Sequence, residues 1–260
     1  MEARYHQGLV YYVFDILAPY PQLKHGVFAR HASRELGGDL TFAFGRQAPE
    51  STVLASLSLA ESALGLGPAV FVGQTHSANV YLCDPQKPYH PRSQKELISG
   101  YDALVTRPSD QNPGEALLIK LADCQGIILY HPQSQTLALA HSGWRGSVQN
   151  ILGQTVSFLN KRFGLPPAEL LAGISPSLGP CCAEFIHYEK ELPEEFWRFQ
   201  NPKNHYFDFW AISHWQLTQA GLKPQNIEIA GICTKCQPDF YSHRRGDDGR
   251  FALLAGIAHD

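Results

Sequence analysis

Residues 115–146 read EALLIKLADCQGIILYHPQSQTLALAHSGWRG and contain three apolar runs divided by short polar segments. The first run, 115–123, has the length and composition of a buried strand. The runs 126–130 and 136–140 predict two further strands, joined by a polar turn. The segment therefore predicts a buried strand followed by a strand pair, with Cys124 and His141 at strand ends.

The rest of the chain predicts helices and strands in alternation. From Gly146 to Phe163 apolar residues recur at helical spacing, and Gly164 with the prolines after it ends this helix. Asp208 is placed to cap a second helix that runs to Gly221. The remaining predicted elements are a strand over IEIAGICT (227–234) and a hairpin made of DFYS (239–242), the turn HRRGDDG (243–249) and RFALLAGI (250–257). This order is typical of the α/β class, with a mixed sheet flanked by helices.

Composition limits the classes to which this chain can belong. It has 260 residues, 44% of them hydrophobic, which suffices to bury the core of one large domain or two small ones. A net charge of -3 offers no general attraction for nucleic acid or an anionic lipid surface. No run approaches the roughly 18 apolar residues of a membrane span, and the first residues do not resemble a secretory signal. We therefore expect a cytoplasmic protein without nucleic-acid or membrane partners.

Three residues are candidate metal ligands. His76 lies among small polar residues in QTHSANV, Cys124 follows an acid in ADC, and His141 opens HSGWRG. The predicted strand, turn and strand carry the chain out and back, so Cys124 and His141 are expected at one end of the sheet. A thiolate with imidazoles suits zinc, and three protein ligands leave a fourth position open, as in catalytic zinc sites.

Copper is the alternative metal, because two histidines and a cysteine also suit a blue-copper site. The only methionine is Met1, and no two of the 12 histidines stand two positions apart as paired ligands of a multicopper cluster. Both observations favour zinc.

The turn after His141 is a candidate anion site. Gly143 and Gly146 permit a tight backbone, and the start of the following helix presents free N–H groups to an anion such as phosphate. Arg145 adds a guanidinium there, although a surface position or a pairing with a carboxylate explains this arginine equally well. Arg244, Arg245 and Arg250 around GDDG are most simply explained as a solvated turn in which the acids offset the bases, and a role in closing over the substrate is the less favoured alternative.

The other cysteine motifs have simpler explanations than a functional site. Cys233 and Cys236 form a C-x-x-C, but the sequence has no second such motif to complete a zinc ribbon. Cys181 and Cys182 are adjacent in a Gly/Pro loop, and neighbouring cysteines rarely bridge without strain. We therefore expect incidental thiols and a structural loop.

Segments over most of the chain resemble, in order, the motifs of the laccase-domain or multicopper polyphenol oxidase family, which includes peptidoglycan-editing proteins and a purine nucleoside enzyme. These segments are HGVFAR (25–30), QTHSANV (74–80), YDALVT (101–106), ADC (122–124), HSGWRGSVQNIL (141–152), GISPSLGPCCAEF (173–185), DFWAISHWQLTQAGL (208–222), CTKC (233–236) and FYSHRRGDDGRFA (240–252). Ser77, Gln125 and Gly126 depart from the family pattern.

The resemblance implies a fold, a metal site and a reaction. The implied fold is a single domain over 1–260, a three-layer α/β/α sandwich with a mixed sheet, related to the catalytic domains of toxin deamidases. The implied Zn²⁺ ligands are His76, Cys124 and His141, and the family's N-terminal arginine falls on Arg30. The implied reactions are phosphorolysis of adenosine, inosine and methylthioadenosine to free base and ribose 1-phosphate, and deamination of adenosine.

These reactions suggest roles for three further side chains. For deamination, we expect the metal to activate water for attack on the purine C6 while Asp123 transfers the proton. For phosphorolysis, we expect Arg30 and Arg145 to hold phosphate against the ribose C1′. A nucleoside and phosphate are then the expected small-molecule partners.

The sequence is also compatible with three other functions. The same metal site can hydrolyse a wrongly incorporated amino acid from a peptidoglycan precursor, as some relatives are proposed to do. A copper-dependent polyphenol oxidase is the second alternative, after the family's older name. The third is a binding or scaffold protein in which metal only stabilises the fold, so that the metal-free protein unfolds.

Overall fold

The structure is a computed structural model that describes residues 1–32, 39–45, 48–84, 86–109 and 114–258. The strands are β1 (Glu2–His6), β2 (Leu9–Val13), β3 (Leu23–Ala32), β4 (Ala69–Val70), β5 (Val80–Leu82), β6 (Ala103–Thr106), β7 (Ala116–Leu121), β8 (Gln125–His131), β9 (Thr136–Ser142), β10 (Leu171–Ile174), β11 (Ile227–Ile229) and β12 (Phe251–Ile257). The α-helices are α1 (Glu50–Leu64), α2 (Trp144–Val148), α3 (Ile151–Phe163), α4 (Tyr188–Glu191), α5 (Glu194–Trp197) and α6 (Phe209–Gln219). Single 3-10 turns lie at Asp15–Leu17, Gln94–Glu96, Pro167–Glu169 and Pro224–Asn226.

The strands form two six-stranded sheets. The first sheet has the order β1-β2-β3-β12-β7-β4, and the second has the order β11-β10-β8-β9-β6-β5. Most neighbours are antiparallel, but β4 runs parallel to β7, β5 to β6 and β10 to β11. Both sheets are therefore mixed.

The alternation of side chains along the central strands explains how the layers pack. In β12, Leu253 and Ala255 belong to the apolar cluster between the two sheets, whereas Ala252 and Leu254 belong to the cluster that includes α1. Strand β8 alternates in the same way between the cluster between the sheets and a cluster that includes α3 and α6. The molecule therefore has four layers in the order helix, sheet, sheet, helix.

The predicted α/β class, with mixed strand pairing and helices on the outside, is confirmed. The expectation of three layers around one sheet needs correction, because the strands divide between two sheets that pack face to face. Apolar runs such as 115–123 indicate burial on both faces of a strand. They do not reveal whether a helix or a second sheet covers each face.

The predicted terminal hairpin is wrong. Strand β12 pairs with β3 and β7, and residues 239–242 form no strand. The chain before β12 folds back on itself instead, since the Asp247 carboxylate accepts a hydrogen bond from the Ser242 backbone N–H at 2.9 Å. The strand predicted over 227–234 is also shorter than expected, because β11 ends at Ile229.

The predicted helices are confirmed with one change. The Asp208 carboxylate caps α6 by accepting a hydrogen bond from the Ala211 N–H at 2.9 Å. The helix expected over 146–163 is divided into α2 and α3 at Asn150, which has a left-handed φ of 56° and accepts a hydrogen bond from the Gly153 N–H. No helix in the described parts of the chain combines the length and apolarity that crossing a bilayer requires.

Candidate metal centre and its cavity

The three predicted ligands lie together at one end of the second sheet. Cys124 directly precedes β8, and His141 lies near the end of β9, where it pairs with Gly126. This confirms the expectation that the chain returns Cys124 and His141 to the same end. His76 comes from the loop between β4 and β5, with a left-handed φ of 60°. The Sγ of Cys124 lies 3.7 Å from Nε2 of His76, and the ligand atoms of the three residues all lie within 4.8 Å of one another.

Gly143 keeps the space around these ligands open. A Cβ built on this glycine would lie 2.8 Å from the Cys124 Sγ and 2.8 Å from the His76 Cδ2. Real Cβ atoms do not approach so closely, so a side chain here would displace the two ligands. Glycine is therefore required at position 143 by the space around the proposed ligands and not by the backbone of the turn.

Asp102 organises the centre, although it is not among the residues predicted from the sequence. Its carboxylate is fully buried. One oxygen accepts hydrogen bonds from His141 Nδ1 at 2.8 Å and the His76 backbone N–H at 3.0 Å. The other accepts from the backbone N–H groups of Thr75 at 3.1 Å and Ser77 at 2.6 Å. Asp102 thus shapes the loop that carries His76 and leaves Nε2 of His141 available to a metal ion. The signal in the sequence is a lone acid at the start of the apolar run YDALVT.

Electrostatics favour a cation at this position. Burial raises the pKa of the Cys124 thiol, but the charge and hydrogen bonds of His141 and His76 outweigh it and lower that pKa to about 6. Burial also raises the pKa of Asp102, yet hydrogen bonding to His141 and Ser77 lowers it to about 2. A thiolate beside two imidazoles, backed by a carboxylate, fits a divalent metal ion. Within the described residues the ligand group has three members, which leaves a coordination position for water or substrate.

The centre opens into a cavity of about 690 Å³. Its wall carries several cationic side chains, namely Lys120, Arg145, Arg244 and Arg250. Aromatic side chains also line it, namely Phe44, Trp144, Phe185 and Phe209. Asp123 is the one acid among the lining residues that the structure describes, so the cavity favours an anionic ligand that also carries an apolar ring.

Arg145 lies at the cavity as the sequence predicts. Its guanidinium stacks 4.3 Å from the centre of the Trp144 ring, and it makes no ion pair with any described residue. The helix start predicted beside it contributes less than expected, because α2 has only five residues. An anion at this turn would therefore depend on side-chain cations more than on the helix terminus.

Lys120 is a second residue at the cavity that is not predicted from the sequence. Its ammonium donates a hydrogen bond to the Val72 carbonyl at 3.0 Å and lies 5.3 Å from the centre of the Phe71 ring. Burial, followed by the positive charge of Arg250, lowers the pKa of Lys120 to about 8. A single lysine within the apolar run 115–123 is the signal that points to it.

Arg30 does not line the cavity. Its guanidinium pairs with Asp39 at 2.7 Å and with Asp247 at 3.7 Å, and it lies 4.6 Å from the centre of the Tyr241 ring. These contacts attach β3 to the loop before β12. Arg30 thus supports the segment that carries Arg244.

Asp123 lies at the cavity beside Cys124, with a left-handed φ of 79°. One carboxylate oxygen accepts a hydrogen bond from the Thr234 hydroxyl at 2.7 Å, and the other accepts from the Arg244 backbone N–H at 2.6 Å. The carboxylate therefore joins three segments of chain at the edge of the metal centre.

The interpretation of HRRGDDGR as a solvated turn is only partly right for its arginines, since Arg244 is exposed and Arg245 pairs with Asp247 as expected, but a cavity wall was not predicted. Arg244 and Arg250 line the cavity. The Arg245 guanidinium donates hydrogen bonds to the carbonyls of Thr234 at 2.8 Å and Lys235 at 3.0 Å. The sequence shows the charges but not the carbonyl groups that face them.

Known proteins with similar sequences carry names that refer to purine nucleosides. A purine nucleoside phosphorylase of Bacteroides thetaiotaomicron is 30% identical over 194 residues, which cover 71% of this chain and 70% of that protein. An adenosine deaminase, RL5, of an unknown prokaryotic organism is 30% identical over 206 residues, which cover 74% of this chain and 75% of that protein. These relatives support a purine nucleoside enzyme at the level of the family.

The fold is that of YlmD from Geobacillus stearothermophilus, whose crystal structure superposes with a TM-score of 0.84 over 98% of both chains at 23% identity. The sequence model of the family described as multi-copper polyphenol oxidoreductase laccase matches residues 24–258. With most of its length matched and its site residues in the matched part, this chain belongs to that laccase-domain family.

Proposed function

We propose that this protein is a zinc-dependent enzyme of purine nucleosides, which cleaves adenosine, inosine and methylthioadenosine by phosphorolysis and also deaminates adenosine. The observation that carries the proposal is a single cavity in which two imidazoles and a thiolate lie beside cationic and aromatic side chains. The cations suit phosphate, and the aromatic rings suit a purine. The names of the relatives support the same class of substrate.

Zinc is the proposed ion, held by His76, Cys124 and His141. When bound, it supplies Lewis-acid activation of water or substrate. A blue-copper site is disfavoured because the Met1 side chain packs against the core between the sheets, away from the cavity.

In phosphorolysis, an oxygen of phosphate forms a bond to the ribose C1′ while the C1′–N9 bond breaks and the purine leaves with the electron pair. Arg145, Arg244, Arg250 and Lys120 hold the phosphate dianion in this reaction and stabilise the charge that develops. Arg30 contributes without touching the phosphate, because its ion pair with Asp247 positions the loop that carries Arg244.

In deamination, Asp123 is the proposed proton carrier, since it is the acid that lines the cavity next to the metal ligands. Asp123→Asn should then lower deaminase activity by about 100-fold. Thr234→Val is the matched control, because it removes one hydrogen bond to Asp123 and keeps the carboxylate. If deaminase activity falls to the same extent in both variants, Asp123 only positions the loop that carries Arg244.

The decisive experiment is chromatographic analysis of the products that the metal-replete protein forms from adenosine, with and without phosphate. We expect adenine only when phosphate is present, and inosine in either condition, although phosphate also allows part of this inosine to be cleaved to hypoxanthine. Cys124→Ala should form neither product. Cys83→Ala is the matched control, because Cys83 is buried in the core between the sheets, and it should retain both activities.

A metal-replete protein that releases no product from any of the three nucleosides contradicts the proposal. Hydrolysis of peptidoglycan precursors would then be the function to test, because the same donor set serves amide hydrolysis.

A further inference from the structure

Four cysteines outside the metal centre meet at another place in the fold. Cys181 and Cys182 lie in the loop after β10, and Cys233 and Cys236 lie in the loop after β11. Because β10 and β11 are parallel neighbours, both loops leave the second sheet at the same edge. A parallel bridge between Ser177 and Cys233 extends this pairing beyond the strands.

The sulfur atoms have the spacing of a tetrathiolate metal site. All four Sγ atoms lie within 4.8 Å of one another, and that of Cys236 lies 3.7 Å from Cys181 and 3.5 Å from Cys182. A tetrahedral zinc ion with Zn–S distances of about 2.3 Å holds its sulfur ligands about 3.8 Å apart. The four side chains therefore fit around one ion.

A disulfide explains the cluster less well. All four residues are free cysteines, and a bond between adjacent Cys181 and Cys182 would be strained. Cys236 approaches both members of this pair to almost the same distance, which is typical of ligands that share an ion. The Gly179 backbone N–H also donates a hydrogen bond to the Cys233 sulfur at 3.3 Å, as amides commonly do around metal-bound thiolates.

We propose that Cys181, Cys182, Cys233 and Cys236 bind a structural zinc ion that fastens the loop after β10 to the loop after β11. Thiolate ligands in a tetrahedral set select zinc, and four protein ligands leave no position for a substrate. The sequence does not predict this site, because two of its ligands are adjacent cysteines and the other two belong to a C-x-x-C motif about 50 residues further along the chain.

The proposed ion stabilises one wall of the cavity. The Leu178 N–H donates a hydrogen bond to the Asp123 carbonyl at 2.8 Å, and the Thr234 hydroxyl donates to the Asp123 carboxylate at 2.7 Å. The Arg244 guanidinium donates to the Cys182 carbonyl at 3.4 Å. Both joined loops thus touch residues that line the cavity, although the zinc that joins them takes no part in the reaction.

Metal analysis of the full chain, purified under reducing conditions from zinc-supplemented medium, tests the proposal without an activity assay. We expect about two zinc ions per wild-type chain and about one in Cys182→Ser. Cys124→Ala, which alters only the first centre, should also retain about one. Cys83→Ser is the matched control, because Cys83 lies in the core between the sheets, and it should leave the zinc content unchanged.

A second measurement uses the unaltered protein, so that it does not depend on the folding of a variant. Cys181 and Cys236 are exposed, and we expect chelation to increase their alkylation rates at least about tenfold, as mapped by peptide mass spectrometry. Equal rates with and without chelator would overturn the proposal. The proposal would also be overturned if Cys182→Ser kept the zinc content of the wild type, or if a disulfide were recovered from these peptides. If only Cys124→Ala kept its full zinc content, the result would contradict zinc binding at the first centre and not at the four cysteines.

Discussion

At the scale of single residues, the metal centre depends on a carboxylate that is not itself one of the three proposed ligands. Asp102 holds the Nδ1 of His141 and the backbone that turns His76 toward Cys124. Because the pKa of Asp102 is lowered to about 2, the carboxylate stays charged at every pH in which the protein is expected to work. Its effect on a bound metal should therefore vary little with pH.

Asp102→Asn should weaken zinc binding at the first centre by about 10- to 100-fold. An amide keeps one acceptor for His141 but loses the negative charge and the second acceptor, on which two backbone N–H groups depend. Competition with a chromogenic chelator measures the affinity. Asp84→Asn, on an exposed aspartate, is the control and should bind zinc like the wild type. Equal affinities for Asp102→Asn and wild type would show that the carboxylate does not support the metal.

Lys120 predicts the pH dependence of phosphate use. Its pKa of about 8 means that the ammonium is charged at neutral pH and loses its proton as the pH rises through that value. We therefore expect the KM for phosphate to rise between about pH 7 and about pH 9. Lys120→Arg keeps a cation throughout this range and should flatten the rise. Both enzymes experience the same titration of phosphate, so parallel profiles would exclude Lys120 from phosphate binding.

At the scale of elements, the turn between β9 and α2, whose backbone contacts the proposed metal ligands, follows strands that the sequence predicts well. Strands β7, β8 and β9 and helix α6 lie within a few residues of their predicted positions, because apolar runs, turn residues and a capping acid define them locally. Strands β4, β5 and β11 contain two or three residues each and exist only through pairing with remote strands, so the sequence does not predict their extent. Asp102 and the cluster of Cys181, Cys182, Cys233 and Cys236 are not predicted for the same reason, because segments remote in the chain bring their partners to them.

Gly143→Ala should disrupt the metal centre and leave the fold intact. The backbone of Gly143 has a φ of -84°, which any residue can adopt, so the penalty comes only from the contact of the new methyl group with Cys124 and His76. We expect the variant to lose most of its zinc at this centre and at least about 100-fold in activity. Gly146→Ala is the matched control, because its Cβ would have no neighbour closer than 3.4 Å. Similar zinc contents in the two variants would contradict this explanation.

At the scale of the whole molecule, the site lies where the chain crosses from one sheet to the other. Asp123 and Cys124 form the connection between β7 of the first sheet and β8 of the second. The cavity therefore receives Lys120 from the first sheet, Arg250 from the residue directly before β12 of that sheet, and His141 from the second sheet. The sequence predicts Cys124 and His141 together because both lie at recognisable strand ends, whereas His76 is marked only by its short motif QTHSANV. It does not predict the cationic wall, which exists only once two sheets have packed face to face.

Packing of the two sheets also makes the stability of the protein depend on pH through a buried histidine. His25 on β3 accepts a hydrogen bond from the Phe14 N–H at 2.9 Å and stacks on the Phe14 ring, which in turn packs on Gly173 of β10. Burial lowers the pKa of His25 to about 4, against about 6.5 in an unfolded chain. Between these values the unfolded chain binds a proton that the folded protein does not, so the stability contributed by neutral His25 is present above about pH 6.5 and is lost as the pH falls toward 4.

We therefore expect the free energy of unfolding to fall by up to about 3 kcal/mol between about pH 6.5 and about pH 4 because of this one group. His25→Gln keeps an acceptor for the Phe14 N–H and cannot titrate, so it should lose less stability over the same range, although it should be about 1 kcal/mol less stable at neutral pH. Urea unfolding of both proteins across this range, with a chelator present to remove metal effects, gives the two slopes. Every other titrating group is common to the pair, so the difference between the slopes belongs to His25. Parallel slopes would mean that His25 is protonated in the folded protein and that its contact with Phe14 does not control acid stability.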